Sequence, residues 1–312
     1  MRAVPGQQRA SRWVHSWAHR VGLLGLCLQL VGCALFTSIP GPGQAGLGCQ
    51  DPTLVPSDKP QLFKLALGDG IRQYWLYVPE NVDPSRPAPL VLNFHGLNSS
   101  ALEQLEMSKL NVTARARGFM VAYPEGTEGS WNGGDCCGAA KKRAIDDVGF
   151  ARAVVQDTSS RICVDTTRIY ATGMANGAMM SHRLACEASD LFAAVAPVAG
   201  GFYLRSCRPS RPVPVLAIHG TEDEIIPLSV AESSYRDWQL FDECRLGAES
   251  DEGQCSVNSR CPAGVEVGLC RLQGVGHCWP GTEECAQGVS TSPLDFSANV
   301  EMWRFFERLR RQ

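Results

Sequence analysis

The sequence lacks an excess of positive charge. Its 29 lysine and arginine residues stand against 32 aspartate and glutamate residues, which gives a net charge of −3 at pH 7. This balance provides no basic surface for nucleic acid, so nucleic acid is not an expected partner. Internal repeats are also missing, and low-complexity sequence is confined to a Pro- and Gly-rich stretch near residue 40. With these classes excluded, the 44% hydrophobic and 20% charged content is typical of an ordinary globular domain.

Long hydrophobic runs are absent as well. The longest mostly apolar run, residues 21–36, is shorter than the roughly 20 residues that a membrane-spanning helix needs. The arginines that precede it, which are typical of an export signal, are Arg2, Arg9, Arg12 and Arg20. The sequence therefore predicts a targeting segment and its tether over residues 1–48, followed by a single domain over residues 49–312.

The sequence allows two alternative cleavage positions for this targeting segment. A small-residue cleavage site lies near Ala45, which would release a secreted, extracellular protein. Alternatively, Leu30-Val31-Gly32-Cys33 resembles a bacterial lipobox, in which Cys33 is acylated and becomes the mature N-terminus. The second interpretation predicts a protein attached to the membrane at the cell envelope through an acylated Cys33.

Cysteine is abundant, with 14 residues, of which only Cys27 and Cys33 lie in the targeting segment. The even number that remains in an exported chain indicates disulfide bonds. A zinc site is disfavoured because C-x-x-C pairs are absent and few histidines are available. Cys163 precedes a predicted central strand and Cys186 lies on the helix that follows it, so we expect these two to pair. The other pairings stay open.

Strand and helix patterns alternate along the chain. Residues 62–67 and 71–78 read as antiparallel strands joined by a Gly-Asp-Gly turn. Further strands are predicted at 90–94, 118–123, 168–172, 192–198, 213–219 and near 265–272, and helices at 146–162, 176–188, 229–240 and 297–310. This alternation predicts an α/β fold with a mostly parallel sheet covered by helices on both faces.

One strand-to-helix junction has the spacing of a nucleophile elbow. In the G-x-S-x-G elbow, glycines flank a serine on a sharp turn between a strand and a helix. Here Gly173 and Gly177 occupy the glycine positions, but the central residue is Ala175. The spacing alone is weakly specific, and its neighbours decide its meaning.

Several separate motifs precede and follow this junction along the chain. They are DDVGF at 146–150, RICVD at 161–165, YATGMANGAMM at 170–180, LAC at 184–186, FAAVAPVAG at 192–200, IHGTED at 218–223, GHCWPG at 276–281 and the WN…CCG loop at 131–138. Together they resemble the esterase family of polyhydroxybutyrate depolymerases and feruloyl esterases, from about residue 62 to the C-terminus. The resemblance implies a disulfide-rich α/β-hydrolase fold. It also implies an enzyme that needs no cofactor and no metal, and a monomer is the simplest expectation for its oligomeric state.

The resemblance also implies an activity and its residues. The substrate would be an ester-containing polymer or a small ester, either a polyester such as polyhydroxyalkanoate or a feruloyl or acetyl ester of plant polysaccharide. The family's triad order is Ser, Asp, His, so Asp223 becomes the acid and His277 the base, with Glu222 as a competing acid. Ala175 occupies the nucleophile position. The backbone N–H groups of Leu97 and Asn176 would form the oxyanion hole.

Four further residues are expected to bind substrate. His95 and Gly96 precede the oxyanion loop, and the glycine lets backbone approach the substrate closely. Trp131, beside the Cys136/Cys137 loop, and Trp279 are expected at the rim, where aromatic rings suit a ferulate or a polyester chain, although packing explains them equally well. Two histidines receive other roles: His219 is predicted to be structural and His182 to lie on a helix surface.

The missing nucleophile separates this chain from the family pattern. Alanine has no oxygen with which to attack an ester, and three interpretations follow. The chain is a hydrolase impaired by alanine in place of serine, or a catalytically inactive pseudoenzyme that binds an ester or a phenolic glycan, or an enzyme in which Ser181 or Ser130 serves instead. We rank the impaired hydrolase first and the binding protein second.

Overall fold

Strands and helices alternate along most of the chain, as the sequence pattern predicts. The computed structural model describes residues 47–68, 70–286 and 296–311. Most of the predicted targeting segment, including Cys33 and Ala45, lies outside the described residues, and so does Asp69 of the predicted turn. None of the helices in the described ranges combines the length and the apolar character that a membrane span requires.

The strands are β1 Ser57–Leu67, β2 Gly70–Val78, β3 Ala88–Phe94, β4 Met120–Pro124, β5 Val164–Met174, β6 Ala194–Val198, β7 Val215–Gly220, β8 Ser250–Glu252, β9 Cys255–Asn258 and β10 Val267–Leu272. The helices are α1 Leu47–Gln50, α2 Ala101–Ser108, α3 Leu110–Arg117, α4 Gly138–Lys142, α5 Asp147–Arg161, α6 Asn176–Glu187, α7 Leu228–Phe241, α8 Glu283–Ala286 and α9 Ala298–Phe306.

These strands form one sheet in the order β1-β2-β4-β3-β5-β6-β7-β10-β9-β8. The central strands from β4 to β10 pair in parallel, and antiparallel pairs extend the sheet on both sides. Every residue of β3, β4, β6 and β7 is buried. Burial on both faces explains why these strands appear as nearly continuous apolar runs.

Helices cover both faces of the sheet. On β3, Leu90 and Leu92 belong to one apolar cluster and Val91 to the other, because successive side chains of a strand point to opposite faces. The first cluster contains side chains of α5, α6 and α7, and the second contains side chains of α3 and α9. The predicted fold class, a disulfide-rich α/β-hydrolase with a mostly parallel sheet, is confirmed.

Some elements differ from the prediction. The strand predicted at 168–172 extends over the whole of β5, and helices α2 and α3 and strands β8 and β9 were not predicted. The buried positions of α2 are Ala101, Gln104 and Ser108, so apolar periodicity does not mark its inner face. Strand β8 is exposed throughout and polar, which leaves no alternating pattern to detect.

Disulfide bonds join all twelve cysteines that follow the targeting segment. The pairs are Cys49–Cys163, Cys136–Cys137, Cys186–Cys207, Cys244–Cys261, Cys255–Cys270 and Cys278–Cys285. The predicted Cys163–Cys186 pair is wrong. The N–H groups of Thr53 and Leu54 donate to the Arg161 carbonyl, which brings the segment after α1, and with it Cys49, against the start of β5.

Candidate active site

The junction of β5 and α6 adopts a strained backbone at Ala175. Its φ of 51° and ψ of −111° lie in a region that residues with a Cβ rarely occupy. The two flanking glycines are required by packing. A Cβ at Gly173 would lie 2.5 Å from the carbonyl oxygen of Phe94, and a Cβ at Gly177 would lie 2.1 Å from the same oxygen. The end of β3 therefore presses directly against this turn.

Asp223 and His277 form a hydrogen-bonded pair. The Nδ1 atom of His277 lies 2.7 Å from Oδ2 of Asp223. The other carboxylate oxygen accepts the N–H groups of Ile225 and Ile226 at 2.9 and 2.8 Å. The Asp223 side chain is fully buried, whereas 14% of the His277 side chain is exposed. With Nδ1 donating to the carboxylate, Nε2 of His277 is left as a proton acceptor that can face a ligand.

The loops that carry these two residues are held together by their backbones. The N–H of Thr221 donates to the Leu272 carbonyl and the N–H of Glu222 donates to the Val275 carbonyl, both at 2.9 Å. The side chain of Glu222, the competing acid, is exposed rather than turned into this cluster. The carboxyl ends of β5, β7 and β10, which precede Ala175, Asp223 and His277, lie at one edge of the parallel part of the sheet.

A second histidine lies against the same carboxylate. Nε2 of His219 is 3.3 Å from Oδ2 of Asp223 and donates to the Ile226 carbonyl at 2.8 Å. Burial lowers the pKa of His219, which keeps its imidazole neutral. The side chain is 1% exposed, in keeping with the structural role predicted for it.

The loop after β3 passes close to Ala175. A Cβ built on Gly96 would lie 3.8 Å from the Cβ of Ala175, which is an ordinary van der Waals contact, so the loop lies directly beside the turn. Leu97 follows on this loop, and Asn176 is the first residue of α6, where backbone N–H groups have no partner within the helix. Within the described part of the chain, neither N–H donates to another protein group.

The side chains of His95, Trp131 and Trp279, which were expected to bind substrate, are all fully buried. Nδ1 of His95 lies 2.7 Å from the Gly96 carbonyl, and Nε2 accepts the N–H of Gly126 at 2.9 Å. Burial lowers the pKa of His95, so the ring is neutral. These rings support the loops from beneath.

The two tryptophans are buried for a common reason. The Trp131 indole donates to the His95 carbonyl at 3.0 Å, and the Trp279 indole donates to Oδ1 of Asn299 at 2.9 Å. Large aromatic side chains gain most from burial, and a buried indole N–H requires an acceptor. Packing, the alternative left open by the sequence, accounts for both residues.

The alternative serines are already engaged inside the protein. Oγ of Ser181 donates to the Gly177 carbonyl at 3.0 Å. Oγ of Ser130 donates to the Thr127 carbonyl at 2.8 Å and accepts the N–H of Ala140 at 3.0 Å. Both side chains are fully buried, so neither presents a hydroxyl to a ligand.

His182 does not lie on the surface of α6, contrary to the prediction. Its side chain is 1% exposed, and Nδ1 accepts the indole N–H of Trp238 at 2.9 Å. Two exposed apolar side chains occur among or close to the predicted site residues. Leu97 is 43% exposed and Ile225, two residues after Asp223, is 71% exposed. No sequence signal distinguishes them, because exposure depends on how the loops fold.

Comparisons with known proteins agree on one family. Residues 72–208 match the family described as esterase PHB depolymerase. NocK of Nocardia uniformis subsp. tsuyamanensis, an inferred esterase, is 31% identical over 239 residues, which are 64% of this chain and 70% of that protein. Feruloyl esterase B of Piromyces equi is 31% identical over 229 residues, which are 64% of this chain but only 41% of that longer protein.

A solved structure shares the fold at low sequence identity. The CE1 ferulic acid esterase of Anaeromyces mucronatus superposes with a TM-score of 0.55 at 14% identity, covering 85% of this chain and 97% of that one. At this identity the likeness concerns the arrangement of strands and helices alone.

Proposed function

This chain belongs to the esterase family of polyhydroxybutyrate (PHB) depolymerases, and on this premise we propose that it is a carboxylic ester hydrolase impaired at Ala175. The substrates would be a polyester such as polyhydroxyalkanoate, or feruloyl or acetyl esters of plant polysaccharide. The observation that carries the proposal is the 2.7 Å bond between His277 and Asp223. A buried carboxylate that orients a partly exposed imidazole is the arrangement by which a base activates a nucleophile.

The proposed roles follow from this geometry. With serine at position 175, Nε2 of His277 would take the hydroxyl proton while the oxygen attacks the ester carbon. Asp223 holds the imidazole in the required tautomer and stabilises the imidazolium that forms. The N–H groups of Leu97 and Asn176 would stabilise the oxyanion. With alanine there, His277 can deprotonate only water, and in triad enzymes loss of the nucleophile lowers turnover about a millionfold.

The backbone at Ala175 supports a site built for serine. Holding a residue with a Cβ in such a conformation costs of order 1–3 kcal/mol, and strain of this kind clusters at functional sites. An alanine gains nothing from being presented on a strained turn. The strain is understandable if the same turn presents a nucleophile in related chains.

Restoring the hydroxyl tests the proposal. We expect Ala175→Ser to raise hydrolysis of p-nitrophenyl acetate at least a few hundredfold, about 3 kcal/mol of the barrier. The gain should disappear when His277→Ala is added, because the base is then missing. Ala178→Ser is a matched control that adds a hydroxyl to the buried face of α6 and should give no gain. High activity of the original chain that persists in His277→Ala would place the chemistry elsewhere. The rates at which the Ala175→Ser variant hydrolyses methyl ferulate, acetylated xylan and PHB then rank the substrate classes.

A catalytically inactive pseudoenzyme is the second candidate. It is favoured by the fact that every proposed group except the nucleophile is present and could still hold an ester or a phenolic glycan. Titration calorimetry of the original chain with methyl ferulate tests this function. Binding by the original chain, together with no hydrolysis by a folded Ala175→Ser variant, would select the binding protein over the impaired hydrolase.

We also propose export, with residues 49–312 as the esterase domain. Disulfide bonds persist in oxidising compartments outside the cytosol, so the six pairs support a secreted location. Attachment through an acylated Cys33 is the alternative form of the same proposal. Mass spectrometry of the mature N-terminus distinguishes the two, since a lipid on Cys33 and a free terminus near Ala45 exclude each other.

A further inference from the structure

The two proposed oxyanion donors belong to different segments of the chain. Leu97 lies on the loop after β3, and Asn176 begins α6 after β5. An oxyanion hole acts only if both N–H groups point at the same oxygen, so their separation must be held within about 0.5 Å. A rigid connection between the loop after β3 and the start of α6 is therefore required.

Trp131 contacts both segments through hydrogen bonds. Its indole N–H donates to the carbonyl of His95, two residues before Leu97, at 3.0 Å. Its backbone N–H donates to Oδ1 of Asn176 at 2.7 Å, and its carbonyl accepts Nδ2 of Asn176 at 3.1 Å. The side chain of one buried residue thus holds the first segment, and its backbone holds the second.

Trp131 is itself fixed in place by packing. Its ring meets Phe94 edge-on, with centroids 5.1 Å apart, and lies nearly parallel to Phe150 at 6.4 Å. Its carbonyl also accepts the N–H groups of Gly133 and Cys137, which folds the Cys136–Cys137 loop back onto it. A residue held on every side can serve as a spacer.

The next residue along the chain strengthens the anchor. The N–H of Asn132 donates to Oδ2 of Asp147 at 2.8 Å, and Oδ1 of Asp147 pairs with Arg72 at 2.9 Å. The Asp147 side chain is fully buried and that of Arg72 is 8% exposed. Solvent screens such a buried ion pair much less than a surface pair, so the backbone at residues 131 and 132 has little freedom to shift.

We propose that Trp131 is a positioning residue that sets the separation of the Leu97 and Asn176 N–H groups. The inference rests on the proposed function, because these N–H groups act on an oxyanion. It differs from the substrate-binding role first expected of Trp131, since the indole touches protein on all sides. Donors aimed at an oxyanion act more on the transition state than on the bound ester, so misplacing them lowers kcat and leaves KM nearly unchanged.

The original chain provides the first test. Trp131→Phe keeps an aromatic ring but removes the indole N–H. By ¹⁵N–¹H NMR we expect the Leu97 and Asn176 amide signals to shift or broaden together. Trp238→Phe is the matched control, since it removes another buried indole N–H, the one that bonds His182. It should leave both signals in place. Unchanged Leu97 and Asn176 signals in Trp131→Phe would overturn the inference whether or not the protein hydrolyses esters.

Kinetics in the Ala175→Ser background provide the second test. There we expect Trp131→Phe to lower kcat about 10- to 100-fold, less than the 10²- to 10³-fold loss of a whole oxyanion donor, with KM within about twofold. Asn176→Ala removes the other end of the same link but keeps the backbone N–H. The two losses should therefore combine to less than their product. Independent, multiplying losses, or an effect on KM alone, would refute a spacer role. An inactive Ala175→Ser variant would instead refute the proposed hydrolysis and leave the NMR result to decide on Trp131.

Discussion

Ala175 has a strained backbone conformation of the kind that is found at functional sites. Its backbone lies at φ 51° and ψ −111° although it carries no functional group. The residues on either side of it, Gly173 and Gly177, pack closely against the Phe94 carbonyl, so the end of β3 confines the turn. The conformation is therefore a property of the packed turn and does not depend on a hydroxyl at position 175.

Replacing Ala175 with glycine should remove the backbone strain of this turn, because glycine tolerates a positive φ. Glycine removes about 1–3 kcal/mol of strain from the folded protein. It also lowers stability by about 0.4–1 kcal/mol, because glycine gives the unfolded chain more conformational freedom. We expect the free energy of unfolding to rise by about 1 kcal/mol, measured by urea denaturation. Ala178→Gly, inside α6 where the backbone is helical, is the control and should lower stability by about the same amount. A loss of stability in Ala175→Gly would show that the turn is not strained.

At the scale of elements, the parallel strands create the site and covalent links hold its framework. Loops after the carboxyl ends of β5, β7 and β10 bring residues that are far apart in sequence to one edge of the sheet. At the opposite end of β5, the Cys49–Cys163 bond closes a loop over 114 residues and ties the α1 segment to the central strand. Cys255–Cys270 instead joins directly opposed residues of β9 and β10, only 15 apart.

The two bonds should therefore contribute differently to stability. The entropy that a disulfide removes from the unfolded chain corresponds to about 3 kcal/mol for a 15-residue loop and about 4.7 kcal/mol for a 100-residue loop. We expect the paired change of Cys49 and Cys163 to alanine to lower the unfolding free energy by about 1–2 kcal/mol more than that of Cys255 and Cys270. Urea denaturation of both double variants measures the order, and the reverse order would contradict the argument.

For the whole molecule, two of the buried groups that affect how stability changes with pH have large pKa shifts of opposite direction. Burial lowers the pKa of His182 from 6.5 to about 3, and burial raises the pKa of Asp242 from 3.8 to about 7. Below pH 6.5 the unfolded chain gains a proton at His182 that the folded protein excludes, so stability falls as pH falls. Above pH 3.8 the unfolded chain loses a proton at Asp242 that the folded protein retains, so stability falls as pH rises.

Between about pH 4 and 6.5 these two slopes should largely cancel, each amounting to about 1.4 kcal/mol per pH unit. His182→Gln keeps an acceptor for the Trp238 indole and should make stability fall with rising pH. Asp242→Asn keeps an acceptor for the Val213 N–H and should make stability rise with pH over the same range. Urea denaturation at pH 4.5, 5.5 and 6.5 compares the three profiles. Parallel profiles would mean that neither group titrates differently on folding.

Sequence patterns alone predict the architecture and the order of the proposed site residues along the chain. Apolar runs and their periods indicated most central strands and the helices α5, α6, α7 and α9. A buried strand or a buried helix face requires apolar residues at regular positions within one short segment, so its own sequence shows the pattern. The glycine spacing around Ala175 likewise indicated a strand–turn–helix junction. The family resemblance selected Asp223 and His277 as the acid and the base, and a hydrogen bond joins these two residues in the structure.

Packing of the folded chain establishes which side chains are buried beneath the site and which cysteines form pairs. Trp131, Trp279 and His182 lie in segments that look exposed locally, and other parts of the chain cover them. Cys163 pairs with Cys49 rather than Cys186 because the segment after α1 crosses the end of α5. Burial and disulfide pairing depend on distances between segments far apart in sequence. Such distances are set by packing of the whole sheet and its helices, and no local pattern encodes them.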